Sequence, residues 1–146
     1  MYEIIKNLHS YWAFVVLLIL LIAVISSIMG MTSGKEYTAK SLRISLFGLI
    51  VSHIQLLVGL ILYFVSPMFE LWSSMGSEVM GDSAARLNLV EHPLINIIAI
   101  VLITVGFSKH KRKVESKAKF KTITIFYTLG LLLLLSRIPW DVWPRF

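Results

Sequence analysis

Three of the four histidines in this chain lie within or beside long hydrophobic runs, where an imidazole is costly to accommodate. His9 precedes the first run, His53 lies inside the second, and His92 precedes the third. Hydrocarbon holds no water to solvate such rings, so ionisable residues there usually face the interior of a helix bundle and have a function. Imidazole nitrogen is a good ligand for iron, copper and zinc. The three histidines therefore predict a metal or metallo-cofactor site built from different helices.

Four hydrophobic segments must position these residues. The chain has 146 residues, is 57% hydrophobic and has a mean hydropathy of +0.80, which is too apolar for a soluble protein of this size. The hydrophobic segments approach the length that is needed to cross about 30 Å of hydrocarbon. These features predict an all-α membrane protein, a single up-down four-helix transmembrane bundle that spans residues 1–146. The predicted helices cover about residues 2–29, 41–66, 83–108 and 120–138.

The third helix contains a proline, which leaves two possible starting points. A helix that begins near Pro93 spans only about 21 Å up to Phe107, which is too short for a bilayer. A longer helix starts at Asp82 or Ser83 as the N-cap and is kinked at Pro93, which transmembrane helices tolerate. We prefer the longer helix because it also buries His92 below the outer end of the bundle.

The distribution of basic residues predicts the topology. Two segments, residues 31–44 and 109–121, hold ten of the 14 lysines and arginines, and in a four-span chain they lie on the same side. The positive-inside rule places them in the cytoplasm and both termini on the periplasmic side of a bacterial inner membrane. The run KHKRK is then a topology signal beside the lipid bilayer, and nucleic acid is not an expected partner. Its histidine, His110, is expected to be solvated among the lysines.

The levels of the histidines in the membrane suggest which of them pair. Counted at about 1.5 Å per residue, His9 and His92 lie closest in level, on helices that are diagonal in an up-down bundle. His53 lies deeper and is an alternative partner for His92. A pair of histidines on facing helices is an arrangement that holds a haem iron.

Polar residues near the histidines could complete a cofactor site. Asn96 lies on the same helical face as His92, and Arg86 and Arg137 lie near the outer helix ends, where they could bind haem propionates. Phospholipid headgroups or an ion pair with Glu91 would explain Arg137 equally well. Glu91 itself could orient His92, carry a proton or ligate a metal.

The composition excludes several other classes of site. The chain has no cysteine, which excludes disulfides, iron–sulfur clusters and covalent c-type haem attachment. Its methionines lie at helix ends or in loops, so bis-histidine ligation of a haem is favoured over His/Met ligation. No nucleotide-binding loop or nucleophile motif is present, so electron transfer is favoured over catalysis.

Short motifs spread along nearly the whole chain resemble a family of small four-span bacterial membrane proteins described as cytochrome b-like. The motifs are LHSYW at residues 8–12, SHIQLLVGLILYFVSP at 52–67, EHP at 91–93 and SRIPW at 136–140. The resemblance implies a haem b bundle, similar in architecture to di-haem membrane cytochromes and to half of haem A synthase. It implicates His9, His53 and His92 in holding the haem.

The leading hypothesis is a b-type cytochrome that passes electrons in the membrane, for example between quinol and a periplasmic redox partner. One alternative is a membrane protein that handles a non-haem metal or protons with the same histidines and Glu91. Another is a structural or assembly subunit of a larger membrane complex, whose polar stripes dock helices. Either could also form a homo-oligomer.

Overall fold

Four long helices dominate the structure, which is a computed structural model that describes residues 1–145. They are α1 (Tyr2–Ser33), α2 (Ala39–Val65), α3 (Ser83–Lys111) and α4 (Ser116–Ser136), and each is long and apolar enough to cross a membrane. No strand occurs in this range. The all-helical class is therefore confirmed, together with four helices of spanning length, and the composition of the helices indicates a multi-pass membrane protein.

The helices pack as a ring in chain order, closed by contact between α1 and α4. As a result, α1 and α3 face each other across the diagonal, as the up-down topology predicted. Fully buried apolar side chains from three helices form the core: Leu20, Ala23, Ile103, Ile123 and Tyr127. The Tyr127 hydroxyl is satisfied by donating to the carbonyl oxygen of Ser45, 2.6 Å away on α2. Both basic loops lie at one end of the bundle, termed the basic end, and the start of α1 and the end of α4 lie at the other, termed the terminus end.

Several helix boundaries differ from the sequence prediction. Helix α1 runs four residues beyond the predicted end and stops at Gly34, which adopts φ 68°. Helix α2 begins at Ala39, where Thr38 and Ser41 form a capping box, and it ends before Pro67 as predicted. Helix α4 starts four residues early because SKAKFK, at residues 116–121, consists mostly of good helix formers.

Helix α3 follows the longer of the two predicted courses. The Asp82 side chain accepts a hydrogen bond from the backbone N–H of Ala85 at 2.8 Å and so caps the helix. The helix is irregular just before Pro93, where Leu87–Glu91 form a wide π-helical turn. Because proline has no N–H, the carbonyl of Leu89 lacks its usual i+4 donor. The hydroxyl of Tyr63 on α2 donates to this carbonyl instead, at 3.1 Å.

A compact segment of short helical turns covers the terminus end between α2 and α3. Val79 is fully buried there and packs with Ala85 and Leu89 at the start of α3. Trp72 donates its indole N–H to the Tyr63 hydroxyl at 3.0 Å, which links the segment to α2. The start of α3, and therefore the position of His92, is held by this packing.

At the basic end, His110 is buried, so the expectation that it is solvated is wrong. Its side chain is 1% exposed, and its Nδ1 atom contacts the carbonyl oxygen of Phe107. A carbonyl only accepts, so Nδ1 carries the proton and Nε2 accepts from the Tyr37 hydroxyl at 2.8 Å. The helical twist turns His110 inward while the neighbouring lysines point outward. Burial also raises the pKa of the Tyr37 hydroxyl.

We expect Tyr37→Phe to lower the free energy of unfolding by about 1–3 kcal/mol, because it leaves the buried Nε2 atom of His110 without a donor. Denaturant titration in detergent, followed by circular dichroism, measures this change. The matched control is Tyr11→Phe, since Tyr11 is 61% exposed. Equal stability of the two variants would contradict the importance of this hydrogen bond.

Candidate functional site

The rings of His9 and His92 face each other across the bundle diagonal near the terminus end. Their centroids are 6.2 Å apart and their planes are inclined at 75°. Both side chains are partly buried. The structure therefore brings together the two histidines whose levels along the helices are closest.

The orientation of His92 is set by the last turn of α4. Its Nδ1 atom lies 2.7 Å from the carbonyl oxygen of Arg137. Because that carbonyl can only accept, Nδ1 carries the proton and the lone pair of Nε2 is left available. Sequence reasoning missed this acceptor, since a backbone carbonyl carries no side-chain signal.

The predicted site residue Asn96 packs on the ring of His92. Its amide nitrogen lies 3.1 Å from Nε2 and 3.3 Å from Nδ1. A donor that lay in the ring plane along the Nε2 lone pair would be much farther from Nδ1 than from Nε2. Because the two distances are nearly equal, the amide nitrogen of Asn96 lies over the face of the ring. Asn96 therefore restricts the ring without occupying the in-plane direction in which Nε2 would bind a metal.

Two residues of α2 position His9. Gly59 gives the ring room, since a Cβ atom at this residue would lie 3.0 Å from Cε1 of His9. The side-chain amide of Gln55 donates to the backbone carbonyl of His9 at 2.9 Å. Gln55 and Gly59 are four residues apart and share one helical face, which belongs to one of the polar stripes recognised in the sequence.

Three buried polar atoms around the two rings have no hydrogen-bond partner within residues 1–145: His9 Nδ1, Gln55 Oε1 and Asn96 Oδ1. Buried polar atoms are nearly always paired in folded proteins, because leaving one unpaired is costly. All three atoms belong to residues that surround the facing imidazoles, so they are available to a ligand.

His53 is not part of this pair. Its Nδ1 atom lies 2.8 Å from the carbonyl oxygen of Leu49 in the preceding turn, and its Nε2 atom lies 3.3 Å from the hydroxyl of Thr104 on α3. It lies about 9 Å along α2 from Gly59, toward the basic end. Both ring nitrogens have partners, so His53 links α2 to α3 in this arrangement.

The predicted cationic residues Arg86 and Arg137 meet at Glu91. Arg86 Nε lies 2.8 Å from Oε1 of Glu91, and Arg137 Nε lies 3.4 Å from Oε2. The proposed ion pair between Arg137 and Glu91 is therefore present. The Nδ1 partner of His92 is the carbonyl oxygen of Arg137, so Glu91 does not take the orienting position that was one of its three expected roles. Its carboxylate instead joins the first turn of α3 to the end of α4.

The number of available protein ligands limits the kind of metal site. Among the described residues, no group of three or more histidine, aspartate, glutamate or cysteine side chains is placed to hold a metal ion. The facing histidines thus offer two ligands and no third from these residue types. The predicted set of three histidines does not come together.

Comparison of the chain with known protein families, with curated proteins and with solved structures finds no match. The cytochrome b-like resemblance is therefore supported by no relative and stays a prediction.

Proposed function

We propose that the protein is a haem b-binding membrane cytochrome in which His9 and His92 would hold the haem iron. The observation that carries this proposal is the 6.2 Å separation of the two ring centroids. A metal–imidazole nitrogen bond is about 2 Å long, so two imidazoles that bind one metal from opposite sides have centroids roughly 6 Å apart. The separation suits shared ligation of a single iron.

The ligand count favours haem over a non-haem metal. Structural and catalytic metal sites built from protein side chains usually need three or four ligands. A haem iron takes four nitrogens from its own porphyrin and requires only one or two side chains from the protein. The two facing histidines match the requirement of a haem iron, since His53 is hydrogen-bonded elsewhere.

The chain's own residues would tune such a site. Bound haem supplies one-electron redox chemistry. The hydrogen bond from His92 to the Arg137 carbonyl fixes the tautomer and raises the basicity of the ring. Gly59 lets the His9 ring approach α2 closely, and Asn96 limits rotation of His92. Each guanidinium retains N–H donors beyond those paired with Glu91, so Arg86 and Arg137 are proposed to bind haem propionates.

The proposed setting follows from the charge pattern. The basic end would face the cytoplasm of a bacterium, with the terminus end at the periplasmic surface of the inner membrane. The site then lies near that surface, within reach of a periplasmic redox partner, while quinol in the bilayer is the proposed electron donor. Electron transfer, rather than catalysis, is the proposed role.

Purification in detergent from haem-replete cells tests the proposal. A pyridine haemochrome assay should give about one haem b per chain, with no stoichiometric non-haem metal by elemental analysis. Stoichiometric copper, zinc or non-haem iron would replace this proposal with the non-haem alternative. A chain that contains neither, and that fails to bind added haemin, would leave a proton-handling protein and a structural subunit as the remaining hypotheses.

We expect Gly59→Ala to weaken haem binding about tenfold, because the added methyl group displaces the His9 ring. Gly48→Ala is the matched control, since it makes the same change in α2 but its Cβ meets Tyr127 and Leu20 instead of a histidine. Haemin titration followed by absorbance compares the two variants. Equal affinities would contradict the positioning role of Gly59.

A further inference from the structure

A groove between α3 and α4 at the basic end combines positive charge with apolar surface. The residues that line it, here called the basic groove, are Lys109, Lys113, Ala118, Lys121, Thr122, Ile125 and Phe126. Lys109 lies in the last turn of α3, and Lys113 lies in the loop two residues beyond the end of that helix. Lys121 lies in the second turn of α4.

The charges of the three lysines are not neutralised by the protein. None of them forms an ion pair in the part of the chain that the structure describes. Glu115 is the one acidic residue in the segment 109–121. Two other lysines of this segment are directed elsewhere, since Lys111 lies over the ring of Phe107 and Lys119 over that of Tyr37.

An apolar strip continues from the groove toward the middle of the bundle. Ile125 is 45% exposed, and Leu129 one turn farther along α4 is 48% exposed. Val105 stands one turn from Lys109 on the same face of α3 and is also exposed. The Nζ atom of Lys109 lies 5.6 Å from the ring centroid of Phe126, which also lines the groove.

We propose that the basic groove binds an anionic phospholipid, with its phosphate among the three lysines and an acyl chain along Val105, Ile125 and Leu129. Basic pockets between transmembrane helices bind anionic headgroups in this way. The exposed apolar strip directly below the charges selects a lipid over a free phosphate, because a soluble anion would leave it uncovered. The proposal does not depend on haem binding.

Native mass spectrometry of the full-length protein in detergent, with phosphatidylglycerol and phosphatidylcholine as probes, tests this site. The groove variant is Lys109→Gln/Lys113→Gln/Lys121→Gln. Its matched control is Lys111→Gln/Arg112→Gln/Lys117→Gln, which removes three charges from the same segment outside the groove. We expect the groove variant to bind phosphatidylglycerol about 100-fold more weakly. The control should lose less than about fivefold, and phosphatidylcholine binding should change in neither variant.

Equal weakening in both variants would overturn the proposal, since it would indicate attraction to total charge instead of a site. No weakening in either variant would overturn it as well. Displacement of phosphatidylglycerol by inorganic phosphate at comparable concentration would show a simple anion site and contradict the role of the apolar strip. Lys109→Arg/Lys113→Arg/Lys121→Arg, which keeps the charge, should retain the lipid.

Discussion

His9→Ala and His92→Ala should each abolish the low-spin haem spectrum, while His53→Ala and His110→Ala should retain it. Loss of either facing imidazole removes an axial ligand and leaves the iron five-coordinate or unbound. His53 and His110 already have hydrogen-bond partners for both ring nitrogens. Their replacement should affect stability more than ligation. The absorption spectra of the oxidised and dithionite-reduced variants in detergent measure the outcome.

The four variants test separately whether His9 pairs with His92 and whether the protein binds haem. Loss of the spectrum in His53→Ala, with retention in His9→Ala, would show that the pairing is wrong although haem binding stands. Low-spin spectra in both His9→Ala and His92→Ala would exclude this pair as ligands. Circular dichroism of each variant distinguishes loss of a ligand from loss of the fold.

Gly106→Ala should destabilise the bundle by about 1–3 kcal/mol, the largest packing effect that we expect from a single methyl group. A Cβ atom at Gly106 would lie 2.2 Å from the Cβ atom of Phe126. Because Cβ is fixed to the backbone, α3 and α4 would have to move apart. Denaturant titration in detergent measures the change. Gly81→Ala is the control, since the nearest atom to its Cβ is a carbonyl oxygen at 3.4 Å.

A double-mutant cycle with Phe126→Gly tests the cause of that destabilisation. With the opposing Cβ removed, the cost of Gly106→Ala should fall below about 1 kcal/mol, since alanine is the better helix former. Additive effects of the two substitutions would contradict a direct clash between the two residues.

The fold could be predicted from hydropathy because each span is a solid apolar run, and a span in hydrocarbon must satisfy its own backbone as a helix. The helix ends were predicted less well. Gly30 lies inside α1, packed so closely on the Phe120 ring that a Cβ atom would lie 2.5 Å from it. In the sequence, a glycine that permits close packing inside a helix cannot be told from a glycine that ends one, so α1 was predicted to end before Gly30.

The candidate site was predicted in part. The spacing of His9 and His92 along their helices, together with the diagonal topology, was enough to predict that they lie together. The residue that orients His92 was not predictable, because the acceptor for Nδ1 is the backbone carbonyl of Arg137. His110 was misjudged from its basic neighbours in sequence, whereas its helical face is shared with the buried Phe107, three residues earlier.

The electron paramagnetic resonance spectrum of the oxidised, haem-loaded protein tests most directly whether His9 and His92 share one iron. Two imidazoles inclined at 75° should give a low-spin ferric signal of the highly anisotropic type, which is associated with nearly perpendicular axial rings. A high-spin axial signal would mean that one of the two histidines is not bound. Absence of any ferric haem signal from protein incubated with haemin would contradict the proposed function itself.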